Sequence, residues 1–193
     1  IENREDAKYL KLTIKDNQIP TELSALSELK ELTILSKDDL NIPDWFSQLT
    51  KLEKINIQAQ KNVVISAEIF RLKKMKNLKE KCQKLKLNIP PLPSAPIETL
   101  ILTDCSMGEL PYSIFELTDI KVLNLAGNKI DLIPSSIKEL ISLSRLTLDR
   151  NNLTSLPKEL SELSALSHLS LDGNNFAADE KEKIQKIFNI WFN

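Results

Sequence analysis

The chain has 193 residues, a formal net charge of −1, 41 % hydrophobic and 27 % charged residues, which suits a single core-forming domain over residues 1–193. Its three glycines (Gly108, Gly127, Gly173) never meet at the spacing of a phosphate-cradling loop, and one His with two Cys supplies too few soft ligands for a zinc or His-cluster site. No apolar run approaches the ~20 residues that a membrane-spanning helix needs.

The chain opens at Ile1 without a charged-then-apolar leader, which leaves a removed targeting segment and an absent start equally open. From there one frame recurs: an apolar residue, a gap, an apolar residue, two gaps, and then a polar or small residue. It reads Leu12-Ile14-Asn17, Leu32-Ile34-Lys37, Ile55-Ile57-Gln60, Leu78-Glu80-Gln83, Leu100-Leu102-Cys105, Leu123-Leu125-Asn128, Leu146-Leu148-Asn151 and Leu169-Leu171-Asn174. Successive steps are 20, 23, 23, 22, 23, 23 and 23 residues. A fixed period of this length predicts a solenoid of about eight stacked repeats over residues 8–176.

Each repeat mixes two periods. The alternating apolar pair predicts a short strand with one buried face. Upstream of it, apolar residues recur every third position, as in Ile137-Leu140-Leu143-Leu146, which suits a 3₁₀ turn with one face inward. Pro20, Pro43, Pro111, Pro134 and Pro157 precede these segments, where a fixed helical φ and a missing N–H do no harm. Asn128, Asn151 and Asn174 predict a buried ladder of side-chain amides at the strand exits, and Cys105 in that column reads as a small buried hydrophobe.

The fourth repeat breaks the pattern. Glu80 stands where an inward Leu belongs, which is costly without a partner; the alternative frame on Leu85-Lys86-Leu87 requires steps of 30 and 15 residues and fits worse. In this register Cys82 faces outward and Cys105 inward, giving two free thiols. The run Ile89-Pro90-Pro91-Leu92-Pro93-Ser94-Ala95-Pro96 lacks the donors for a helix and predicts extended polyproline II on the convex side. Charge gathers at the same place: residues 61–86 carry nine Lys and Arg against Glu68 and Glu80. Such a belt attracts polyanions or acidic partners, although no aromatic residues interleave with it to stack on nucleic-acid bases.

At the C-terminus, residues 177–193 predict a capping helix. Asp179 with Glu182 has the spacing of a capping box, and Ile184, Ile187, Phe188 and Trp191 fall on one helical face with Phe192 beside them. At the N-terminus residues 1–9 offer Ala7 and Tyr9 to cover the first strand, and residues upstream of Ile1 are the alternative.

The frame Leu143-x-x-Leu146-x-Leu148-x-x-Asn151-x-Leu153-x-x-Leu156-Pro157-x-x-Leu160-x-x-Leu163 resembles the 23-residue leucine-rich repeat. The closing Asn174-Asn175-Phe176 and Asp179–Ile184 stretch is similar to that of bacterial, spirochaete-type members. The resemblance implies a curved right-handed α/β coil with a parallel sheet on its concave face and short helices, 3₁₀ turns and polyproline II on its convex face. It also implies protein binding without catalysis or cofactor, and a bacterial surface or secreted setting.

In the strand frame, residues alternating with the buried positions face the concave surface. There Ile101, Val122 and Ala126 make a central apolar patch, while Arg145, Asp149, Arg150, His168 and Asp172 make a charged end, with Asn124 between. The candidate partner site is therefore Ile101, Val122, Asn124, Arg145, Asp149, Arg150, His168 and Asp172. Polyanion or glycan binding through the Lys belt is the alternative, and Trp45 and Tyr112 on the convex flank are a further candidate surface. His168 beside Asp149 or Asp172 has the residue types of a base and its orienter, but no Ser or Cys nucleophile has a place next to it.

Overall fold

The structure is a computed structural model that describes residues 6–15 and 17–189. Its strands are β1 (Tyr9–Ile14), β2 (Glu31–Ser36), β3 (Leu40–Asn41), β4 (Lys54–Ala59), β5 (Asn62–Ile65), β6 (Asn77–Lys81), β7 (Lys84–Leu87), β8 (Thr99–Thr103), β9 (Val122–Asn124), β10 (Arg145–Thr147) and β11 (His168–Ser170). Eight of them, one per repeat, form a parallel sheet in the order β1-β2-β4-β6-β8-β9-β10-β11. Every inward Leu or Ile stacks on its equivalent one coil away: Leu32 on Ile55 on Leu78 on Leu100 on Leu123 on Leu146 on Leu169. This is the α/β solenoid that the period demands.

Opposite the sheet lie six five-residue 3₁₀ helices, Thr21–Ala25, Asp44–Gln48, Ala67–Arg71, Tyr112–Glu116, Ser135–Glu139 and Lys158–Glu162. Proline stands just before five of them, in extended backbone rather than inside the helix, and its carbonyl accepts the first turn's N–H, as from Ile114 to Pro111 at 3.0 Å. Ser66 replaces proline before the third and accepts from the Glu68 N–H through its side chain. Phe46, Phe70, Ile114 and Ile137 point from this layer onto the strand residues and are buried. Charged side chains pair between coils as well: Lys54 with Glu31 at 3.3 Å, Lys30 with Glu53 at 3.2 Å, and Glu98 with both Lys76 and Lys121 at 3.1 and 3.0 Å.

Several expectations need correction. In the first repeat Leu10 and Leu12, not Leu12 and Ile14, pair with Leu32 and Ile34; three alternating apolar residues in a row allow either frame, and pairing with β2 selects the earlier. The fourth repeat keeps the expected register, with Glu80 opposite Ile57 and Leu102. The rejected segment Leu85–Leu87 is nevertheless a strand, part of a second parallel sheet β3-β5-β7 on the flank. Cys82 faces inward, 3 % exposed, because inward alternation continues past Leu78 and Glu80 to a third position shared with Ala59 and Ser36. The proline segment is not uniformly extended: Leu92 sits at φ 53°, a left-handed turn, and is 86 % exposed.

The helix α1 (Ala178–Phe188) covers the last coil, with Ile184 buried and Phe188 packed on the core. Its N-cap is Ala177, without a side-chain cap bond, and Asp179 lies within the first turn. The expected capping box is therefore absent, and the acids there act on the helix dipole instead. Ile187 is exposed, so the inward face is narrower than the spacing implied. Trp191 and Phe192 lie outside the described residues. Tyr9 is 67 % exposed and does not cover β1.

Candidate functional site

The concave sheet presents three rows of outward side chains, with neighbouring strands about 4.8 Å apart. The registers put Thr99, Val122, Arg145 and His168 side by side in the first row, and Ile101, Asn124, Thr147 and Ser170 in the second. Asp149 and Asp172 follow on the turns leaving β10 and β11. The eight candidate residues thus share one patch on the C-terminal half of the sheet. Ala126, expected in the apolar patch, is 6 % exposed and belongs to the turn, which leaves Ile101 and Val122.

The patch residues differ in what already holds them. Asn124 accepts from the Ala126 N–H at 3.0 Å through Oδ1. Asp149 accepts from the Ser170 hydroxyl at 2.6 Å and from the Asp172 N–H at 2.9 Å, so its carboxylate braces the next coil rather than orienting His168. The side chains of Arg145 and His168 are exposed and make no hydrogen bond or ion pair among the described residues.

Beside the rows runs a column of left-handed residues, Asp104 (φ 54°), Gly127 (φ 70°), Arg150 (φ 53°) and Gly173 (φ 71°), each of the first three donating its N–H to the next coil. Gly127 is needed for space as well as for its φ. A Cβ there would lie 2.0 Å from Asp104 Oδ1 and 3.5 Å from Arg150 Nη2. Through that gap the Asp104 carboxylate faces Arg150 two coils away at 3.8 Å, and on its other side Lys81 at 3.1 Å. Arg150 is therefore part of a Lys81–Asp104–Arg150 rail along the rim of the patch. No residue type in the sequence marks Asp104 as a partner, because its column alternates charged residues with Gly.

The expected Asn ladder holds the exits of the later strands. Asn128 donates to the Leu102 and Leu125 carbonyls, both at 2.8 Å, and accepts from the Cys105 and Met107 N–H groups at 3.0 and 3.1 Å. Asn151 and Asn174 repeat the arrangement one and two coils on. These amides, buried at Asn128 and Asn151 and half-buried at Asn174, fix the turns from which Asp149, Arg150 and Asp172 project.

Two of the hollows elsewhere matter for the alternatives. One, about 460 Å³, opens at the strand exits of the early coils between Thr13, Leu35, Lys37, Gln58, Gln60 and Lys81; its sequence signal is Leu35, an apolar residue in an outward row. The other, about 430 Å³, lies on the convex side between Lys51, Arg71, Lys73, Lys74, Ser47 and Thr50. The Lys belt itself is spread around the coil: Lys79 and Lys81 on the concave sheet, Lys84 and Lys86 on β7, and Lys73 and Lys74 on the convex turn. On the convex flank Trp45 is half-buried against Phe46, ring centroids 4.7 Å apart, whereas Tyr112 is 67 % exposed with an edge contact to Phe115. Among the described residues no group of three His, Cys, Asp or Glu is arranged to hold a metal ion, and no helix is long and apolar enough to cross a membrane.

Residues 96–153 match the leucine rich repeat family model. A leucine-rich-repeat protein of Leptospira interrogans superposes with a TM-score of 0.54 at 23 % identity, covering 92 % of this chain and 57 % of that one. An internalin of Listeria monocytogenes gives 0.54 at 17 %, covering 90 % and 50 %, and the PEPR1–AtPEP1 structure gives 0.63 at 20 %, covering 87 % and 29 %. The chain thus spans little more than half, or less, of these proteins. No curated protein sequence matches it significantly.

Proposed function

We propose that this chain, a leucine-rich-repeat coil, is a non-enzymatic protein-recognition module whose partner lies on the C-terminal half of the concave sheet, and that residues 1–193 act as one unit of a bacterial surface or secreted protein. The observation that carries the reading is the row Val122-Arg145-His168, in which two exposed polar side chains without partners stand beside an aliphatic one. Asn124, Asp149 and Arg150 around them are already engaged in holding the surface still. A rigid frame with a few uncommitted donors loses little freedom on binding. Arg145 offers a forked donor to a carboxylate, and Ile101 with Val122 offers aliphatic area beside it. The fitting partner is a folded protein surface with an acidic side chain flanked by an apolar one.

The second reading, a polyanion or glycan held by the Lys belt 61–86, draws on the convex hollow in which Lys73 and Lys74 are exposed and Lys51 and Arg71 stand close by. A pull-down at low and high salt with two double variants separates the two. Arg145→Glu with His168→Glu should abolish capture under the first reading and leave it unchanged under the second. Lys73→Glu with Lys74→Glu should do the reverse, with binding that fades as charges are screened.

A further inference from the structure

The two cysteines stand on consecutive coils at the place where the repeat changes character. Lys81 pairs with Thr103 in the parallel register of β6 and β8, which puts Cys82 opposite Asp104 and one residue away from Cys105. Parallel strands lie about 4.8 Å apart and one residue adds about 3.3 Å along the chain, so Cα atoms in that diagonal relation are roughly 6 Å apart. A disulfide spans about 4.4–6.8 Å. Both side chains point into the core, Cys82 at 3 % exposure and Cys105 at 0 %. The Cys105 thiol donates to the Thr103 carbonyl at 3.3 Å and reaches back to the Glu80 carbonyl, on the strand that leads into Cys82, at 3.9 Å.

We propose that Cys82 and Cys105 are a redox modification site, a reversible disulfide that staples the fourth coil to the fifth. The loop it closes, residues 82–105, contains β7 and the proline segment, the one stretch between successive concave strands that lacks a 3₁₀ helix. The staple would therefore act where the coil has least regular structure of its own. The neighbouring Cys105 thiol, with burial, pushes the Cys82 thiol up. The thiolate of one cysteine attacks one sulfur of a small-molecule disulfide such as oxidised glutathione, that S–S bond breaks, and one thiolate leaves. The other cysteine then gives up its proton and attacks the first cysteine's sulfur, expelling the second thiolate. The protein loses two electrons and two protons, and the reagent becomes two thiols. Since both sulfurs are buried, exchange proceeds through local opening of the coil and accelerates in mild urea.

The test is to incubate the whole chain with oxidised glutathione, then count thiols after denaturation and map tryptic peptides without reduction. The expected result is a fall from two thiols to none in a monomer. Residues 82–84 should then be linked to residues 87–121, the link should be reversed by dithiothreitol, and the melting midpoint should rise by roughly 5–10 °C. Cys82→Ala and Cys105→Ala should each stop at a single glutathione adduct and show no such rise. Should either variant fail to fold, the peptide map of the unaltered chain decides alone. Two thiols that persist at equilibrium, glutathione adducts on both cysteines, or linkage only between chains would each overturn the proposal.

Discussion

The early coils and the late coils solve one problem in two ways. After each concave strand the chain turns back along the flank, and its backbone N–H and C=O groups, out of reach of water, must find partners. In coils two to four the flank itself becomes a sheet: Val63, Val64 and Ile65 in β5 pair with β3 and β7, and the residues in the ladder column, Lys37, Gln60 and Gln83, are exposed. In coils six to eight the flank is irregular and a buried or half-buried Asn supplies the missing donors and acceptors. The difference teaches that a solenoid can change its cross-section without changing its pitch, because strand pairing and side-chain amides satisfy the same groups. The seam falls between the fourth and fifth coils, and it is imperfect. Cys105 occupies the ladder column with one weak donor, and neither carboxyl oxygen of Glu80 meets a donor in hydrogen-bond geometry. Burial pushes the Glu80 carboxyl up to about 9; the nearby Cys105 adds to this, and the Cys82 thiol and Lys81 N–H offset only part of it.

The largest effect should come from repairing that seam. Glu80→Leu restores the apolar column between Ile57 and Leu102 and should stabilise the protein. Glu80 stays protonated in the fold while the unfolded chain ionises near 4.5, so the unfolded state binds fewer protons between 4.5 and about 9. The unaltered protein should therefore lose stability as pH rises through that window, by on the order of 6 kcal/mol at most, and the variant should not. Urea midpoints at pH 5 and pH 8 check this; equal pH slopes for the two proteins would mean that Glu80 is solvated or paired. Asn151→Ala should cost about 1–3 kcal/mol in urea denaturation through the carbonyls and the Ile130 N–H it leaves unpaired, whereas Gln60→Ala, in the same column of the sheeted half, should stay within about 0.5 kcal/mol. Similar costs would erase the distinction between the halves. Gly127→Ala should cost about 1–2 kcal/mol from the left-handed backbone, and somewhat more because its Cβ must displace the Asp104 carboxylate; a melting scan reads the loss. Arg145→Glu is smallest, within about 0.5 kcal/mol, since an exposed side chain without partners has little to lose.

Much of this was legible in the residues. The period, the inward columns, the Asn ladder and the proline-led 3₁₀ turns are each written in residue types with one structural use, and the strand frame puts Ile101, Val122, Asn124, Arg145 and His168 on one face. What escaped was set by neighbours rather than by local type. Leu10, Leu12 and Ile14 fit two frames until β2 selects one. Val63–Ile65 form a strand only because β3 and β7 flank them, and Cys82 turns inward because β6 continues its alternation by one step. Within the patch, no sequence pattern distinguishes Asp149, tied to Ser170, from Arg145, which is tied to nothing. Hydrogen bonds between coils make that distinction.

The central claim is that partners sit on the concave row through Arg145 rather than on the convex belt. A photo-crosslinking residue placed at position 145 and, separately, at position 73 tests it directly. In the presence of a captured protein partner, the account predicts adducts from position 145, suppressed by Val122→Asp, and none from position 73. Adducts from position 73 alone, insensitive to Val122→Asp and lost at high salt, would contradict it.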